Sequence, residues 1–200
     1  MKRLLLTALL ATLLSAGYAQ PAKISYGLHA GLNMSNLHSE NSGIVSKYTI
    51  KPGLNAGIEV WIPLCSHFSL QPGLDYAQMG ARYQAGETPR LSYKENYLAL
   101  PLLVNYQVAK SGLAVYLGPQ VAYLLNASSE NKEGTTLSVA GYATKYDFSG
   151  IVGCGYYLQN GLGLSARYQK GLINVAQKAY LGSDGSVKNN GFSILLGYRF

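Results

Sequence analysis

The chain is short of charge. Only 12% of its 200 residues are ionised, Asp and Glu together number 9, and there is a single Trp. Lys and Arg are scattered without a basic cluster, which excludes the electrostatic footprint of a nucleic-acid binder. Two cysteines, Cys65 and Cys154, are too few for a disulfide framework. Neither has a His nearby at metal-ligand spacing, so both read as packing residues and no metal or other cofactor is implied. The longest apolar run, from Leu4 to about Leu14, falls short of the ~20 residues a spanning helix needs. Beyond it no helical period of useful length appears.

What the chain has in quantity is glycine and tyrosine, 23 and 17 residues, a profile of β-rich proteins. At the front Lys2 and Arg3 precede the apolar run, and small residues follow at Gly17 and Ala19. That order is a secretory signal peptide, expected to span residues 1–19 and leave one domain at 20–200. Its removal takes the formal charge from +7 to +5.

Period-two alternation then recurs eight times. One face of these segments is apolar throughout, as in Leu98, Leu100, Leu102, Val104 and Tyr106, or in the closing stretch Phe192, Ile194, Leu196, Tyr198 and Phe200. The other is small, polar and partly ionised, with Gly31, Asn33, Gly57, Gln71, Gly73, Asn105, Gly153 and Gly197. Exposed strand positions of a soluble protein favour Thr, Lys and Glu, whereas glycine weakens a strand unless something approaches closely. A crowded lumen is such a place, so the apolar face is expected to point outward into lipid.

Aromatic residues gather at the strand ends. Phe68, Tyr106, Tyr156, Tyr198 and Phe200 fall near one rim, and Tyr76, Tyr123, Phe148, Tyr168 and Phe192 near the other. Eight residues separate the two sets, about 27 Å along a strand at ~3.4 Å per residue. With a tilt of ~40° this is roughly 20 Å of height, compatible with the ~25 Å apolar band of an outer-membrane barrel. Short connections at 63–66, 107–112 and 158–161 alternate with long polar ones at about 35–52, 80–96, 127–145 and 171–190, matching periplasmic turns and extracellular loops. Free strand edges are untenable in lipid, so the fold expected is all-β: a closed, antiparallel, eight-stranded transmembrane barrel in up-and-down order. Pro72, Pro101 and Pro119 lack a donor in mid-barrel strands, and bulges are expected at them.

Six pieces in order, QPGLDYAQMG (71–80), YLALPLLVNY (97–106), LGPQVAYLL (117–125), YDFSGIVGCGYY (146–157), LSARYQKGLINV (164–175) and the terminal LLGYRF, resemble the PorT-like outer-membrane β-barrels, a porin-family or outer-membrane β-barrel domain. Where that pattern often has an acidic residue before the fourth-strand proline, this chain has Ala99. The resemblance implies a signal-bearing integral barrel of the cell outer membrane, with some members linked to protein secretion. Partners implied are outer-membrane lipid, the barrel assembly machinery and secretion-system proteins. The final Tyr198 and Phe200 resemble the signal that such machinery recognises.

The ionised residues of the inward face, His29, Glu59, Asp75, Asp147, Arg167 and Arg199, form the candidate constellation. As a function they would gate a small conductance or bind a solute. As structure they would be a paired network filling a lumen wide enough only for side chains. For an enzyme acting on lipid, His38 and Ser39 are the one tempting pair, but adjacent strand residues point apart. His67 fits a solvated turn. A secreted lipocalin-like barrel, with the apolar face inward, is the soluble alternative. The long loops carry few aromatics, a poor composition for an anchored binding hot spot.

Overall fold

The computed structural model describes residues 23–40, 47–85, 88–108, 111–131, 134–175 and 186–200. The expected signal peptide at 1–19 lies outside them. Eight long strands make the wall: β1 (Ser25–Glu40), β2 (Lys47–Pro63), β3 (Phe68–Ala85), β4 (Thr88–Gln107), β5 (Leu113–Asn131), β7 (Tyr146–Tyr157), β8 (Leu162–Gly171) and β9 (Ser186–Arg199). Each pairs antiparallel with its chain neighbour, and β1 closes on β9 from Gly27↔Arg199 to Glu40↔Ser186. The remaining strand, β6 (Thr136–Ser138), pairs only with the far end of β5 and stands outside the ring.

Alternation places the side chains as the solvent demands. Leu32, Leu54, Leu100, Leu117, Leu164 and Leu196 point outward and are each more than half exposed, while His29, Glu59, Asp75, Asp147 and Arg167 are buried inside. An apolar exterior around a polar interior is the inverse of a lipocalin, so that soluble alternative falls. The aromatic rims are in place. Phe68 sits 5.1 Å from Tyr106 and Tyr198 5.0 Å from Phe200 at the short-turn end. At the other end Tyr168 is paired with Phe192, and Tyr123 lies 5.5 Å from Tyr146.

Three expectations need correction. The first concerns the long connections, much of which is strand: β1 runs on to Glu40, β2 starts at Lys47, and β3 and β4 are separated by only two residues. Beyond the apolar band the outer face meets water, so the outward apolar series disappears from the sequence while the backbone ladder continues and the inner face stays buried, as at Ser35, Ala81 and Asn189. Second, no bulge marks the prolines. Pro72↔Leu102, Pro101↔Gln120 and Pro119↔Gly150 lie in unbroken register, and the irregularities fall instead at Ile50/Asn55, Tyr83/Gln84 and Asn96/Tyr97. Proline's φ fits extended backbone, and losing one donor interrupts a ladder without shifting it. Third, Cys65 and Cys154 are exposed and pack in no core; Cys154 sits on the lipid-facing side of β7.

Inward glycines do what a crowded lumen requires. A Cβ on Gly153 would lie 2.5 Å from the Tyr116 ring, and one on Gly163 2.3 Å from the Tyr157 ring. Two tyrosines thus lie flat across bare backbone on the inner wall.

Candidate functional site

The lumen is packed in layers along the barrel axis. Its middle layer is ionic. Arg167 on β8 donates from Nη1 to Asp75 Oδ2 on β3 at 2.8 Å and places Nη2 3.6 Å from Glu59 Oε2 on β2. His29 on β1 lies between the same two carboxylates, with Nδ1 3.3 Å from Glu59 Oε2 and Nε2 3.3 Å from Asp75 Oδ1. A protonated imidazole, the form that can donate from both nitrogens, would balance the set at two positive and two negative charges. Side-chain amides extend the set: Gln71 donates to Glu59 Oε2, and Asn105 donates to Gln71 Oε1, while Arg167 Nε and Asn105 Oδ1 have no hydrogen-bond partner among the described residues. Trp61 Nε1 donates to Glu59 Oε1 at 3.2 Å.

In the ring of eight wall strands β3 and β8 are four steps apart, so Arg167 and Asp75 reach from opposite walls and meet inside. Groups from opposite walls thus meet in the middle of the lumen at that level. Below them, toward the short turns, is an aromatic layer. Trp61 and Tyr157 meet edge to face at 5.1 Å, and the Arg199 guanidinium stacks over Trp61 at 5.0 Å and Tyr157 at 5.9 Å.

Above the ionic layer, toward the long loops, Asn189 Nδ2 lies 3.3 Å from each of Glu95 Oε2, Tyr97 Oη and Asp147 Oδ2, and Tyr97 donates to Glu95 Oε2 at 2.9 Å. No described cation pairs with either carboxylate. Leu37, Ala81, Val175 and Val187 form an apolar cluster of their own, also on the long-loop side.

The six residues expected as one constellation therefore divide. His29, Glu59, Asp75 and Arg167 come together; Asp147 belongs to the layer above and Arg199 to the layer below. Sequence reasoning missed Trp61, Glu95, Tyr97, Tyr116, Tyr157 and Asn189. Most share the parity of recognised inward neighbours, Trp61 with Glu59 and Glu95 and Tyr97 with Asn105. Carrying the alternation one or two residues past the apolar stretch would have found them. Of the enzyme candidates, His38 is exposed and the Ser39 side chain lies outside the described residues. His67 stacks on Tyr106 at 6.0 Å beside a turn.

A closed barrel with an apolar exterior, two aromatic girdles and a lumen filled by paired polar side chains defines an integral outer-membrane β-barrel protein. More particularly, the family model described as "Outer membrane protein beta-barrel domain" matches residues 18–177, and the chain belongs to that family. Among solved structures, Neisserial surface protein A is similar over 90% of this chain and 100% of its own, with a TM-score of 0.57 and 16% identity. Ail, the attachment invasion locus protein of Yersinia pestis, is similar over the same shares, with a TM-score of 0.53 and 14% identity. Likeness at this level of identity is a likeness of fold. No curated protein matches the sequence.

Proposed function

We propose that this barrel is a non-catalytic component of the outer membrane, an envelope scaffold or accessory part of a secretion or transport assembly, with no solute path through its lumen. The observation that carries the reading is the Arg167–Asp75 ion pair across the lumen, closed further by His29 and Glu59. A conducting pore would need these charges apart and hydrated. Here they neutralise one another. The same arrangement supports a role without catalysis, because the buried imidazole of His29 meets two carboxylates and not a hydroxyl or thiol that it could activate.

The resemblance of six sequence pieces to PorT-like barrels supports the secretion branch of this reading. On that branch the contacts would be made by the outer wall and the rim, with insertion handled by the barrel assembly machinery.

Planar-bilayer recording tests the closed lumen. Wild type is expected to show no unitary conductance, and Glu59→Gln/Arg167→Gln, which removes one charge of each sign and shortens one side chain by two heavy atoms, is expected to show none either. Steady channel openings in the wild type would end the scaffold reading. In-cell crosslinking followed by mass spectrometry then identifies partners, and recovery of lipid alone would remove the assembly branch.

A further inference from the structure

Two buried carboxylates in the layer above the ionic one have no positive partner among the described residues. Glu95 on β4 is 8% exposed and Asp147 on β7 1%, and the described ion pairs all belong to the layer below. Burying a carboxylate without a counter-charge is strongly unfavourable, and here two are buried side by side.

What stands between them is a neutral amide. Asn189 on β9 is wholly buried, and its Nδ2 lies 3.3 Å from each of Glu95 Oε2, Asp147 Oδ2 and Tyr97 Oη. An amide nitrogen carries two hydrogens, one fewer than the oxygens it faces. Asn189 Oδ1 and Asp147 Oδ1 are cut off from solvent and have no hydrogen-bond partner. Hydrogen bonds thus fix the Asn189 side chain through its nitrogen alone, and its carbonyl half is idle.

Turning the amide over exchanges Nδ2 and Oδ1 and puts an oxygen where the nitrogen stood. Edges of 3.3 Å then join that oxygen to three others from opposite sides of the barrel. Neighbouring oxygens in an octahedral shell are √2 metal–oxygen distances apart, about 3.0 Å around Mg²⁺ at ~2.1 Å and about 3.4 Å around Ca²⁺ at ~2.4 Å. The spacing is that of a calcium shell. The surroundings agree: Met79, Ala99, Ala122, Leu124 and Ala143 cluster with Tyr97, and such apolar neighbours cannot hold the water that Mg²⁺ gives up reluctantly.

We infer that the upper lumen binds a Ca²⁺ ion between Glu95, Asp147, Tyr97 and the carbonyl of Asn189. With both carboxylates bidentate these side chains supply six oxygens, at the lower end of the calcium range of about 6–8. Asp147 Oδ1 then gains the partner it lacks, Tyr97 turns a lone pair inward, and the ion's two charges neutralise the two carboxylates. Because β4 and β9 are four steps apart in the ring of eight, the ion braces opposite walls at a second height. The inference stands apart from the scaffold reading, since the brace holds whatever the barrel's partners are.

The full chain is refolded in phosphatidylcholine vesicles and titrated with urea, followed by the heat-modifiable band, in EDTA and at free Ca²⁺ from about 10 μM to about 10 mM, which reaches past the weakest calcium sites. Above the dissociation constant each tenfold rise in Ca²⁺ is expected to multiply the wild-type folded-to-unfolded ratio about tenfold, ~1.4 kcal/mol. Mg²⁺ is expected to need a concentration at least about tenfold higher for the same gain. Glu95→Gln/Asp147→Asn, equal in shape and uncharged, should be as stable as wild type in EDTA and indifferent to Ca²⁺. Glu130→Gln, an exposed carboxylate of β5 outside the layer, should keep the whole response. A wild type that ignores Ca²⁺, a double variant that still responds, or an equal response to Mg²⁺ overturns the site. Should the double variant fail to fold, equilibrium dialysis of folded wild type against Ca²⁺ decides, with one ion per chain expected and none overturning the proposal.

Discussion

Replacing Arg167 with Met should be among the costliest single changes in the lumen. The guanidinium lies 2.8 Å from Asp75 and 3.6 Å from Glu59, in a layer where both carboxylates are almost wholly inaccessible. Methionine fills much of the volume and supplies no charge, so two carboxylates are left facing only the His29 imidazole. Breaking a buried pair by removing one partner costs about 3–5 kcal/mol, because the surviving charge stays desolvated. The lower end applies here, since His29 remains 3.3 Å from both carboxylates, and the expected loss is ~3 kcal/mol. Urea titration in phospholipid vesicles, followed by the heat-modifiable band, measures it. Arg167→Met/Asp75→Asn should recover at least half of the loss, because the second change removes the anion stranded by the first. A single variant within about 1 kcal/mol of wild type, or a double variant no better than the single, would show that the ionic layer is hydrated and not a desolvated brace.

Glu95→Gln removes one of two carboxylates that share the Asn189 amide without a described cation, and it is expected to leave stability at neutral pH unchanged or raise it by about 1 kcal/mol in the same titration. Gly153→Ala places a methyl group 2.5 Å from the Tyr116 ring, and should cost about 1–3 kcal/mol; Tyr116→Leu in the same chain should return part of it. Trp61→Ala uncovers the aromatic layer and should lower the urea midpoint while bilayer conductance stays absent, because the ionic layer above it is intact.

The barrel was legible wherever lipid imposed a rule. In the run Leu98 to Tyr106 the membrane demands an apolar residue at every second position, and parity alone separates Leu100 outside from Leu103 inside. Where the membrane ends the rule ends, and the upper halves of β3 and β4 passed for loop because Arg82, Ser92 and Lys94 are polar on a face exposed to water. The lumen was legible as a set of residues but not as an arrangement. Parity places Asp147 and Arg167 on one surface, but it does not say how far along the axis each lies, and that height depends on strand stagger. Stagger is fixed by closure, such as Gly27 meeting Arg199, a relation between the two ends of the chain that no local pattern encodes.

The reach of Arg167 to Asp75 also makes the barrel measure its own circumference. The two residues are 92 positions apart in sequence and lie on strands that are not paired with each other. They can meet only when the sheet has curled to the right width. A ring with a strand too many would hold them out of reach, and one closed a step out of register would set them at different heights. The buried charges thus act as a gauge of the finished ring: Asp75, Glu59 and Arg167 neutralise one another only in a cylinder with this number of strands and this seam between β1 and β9.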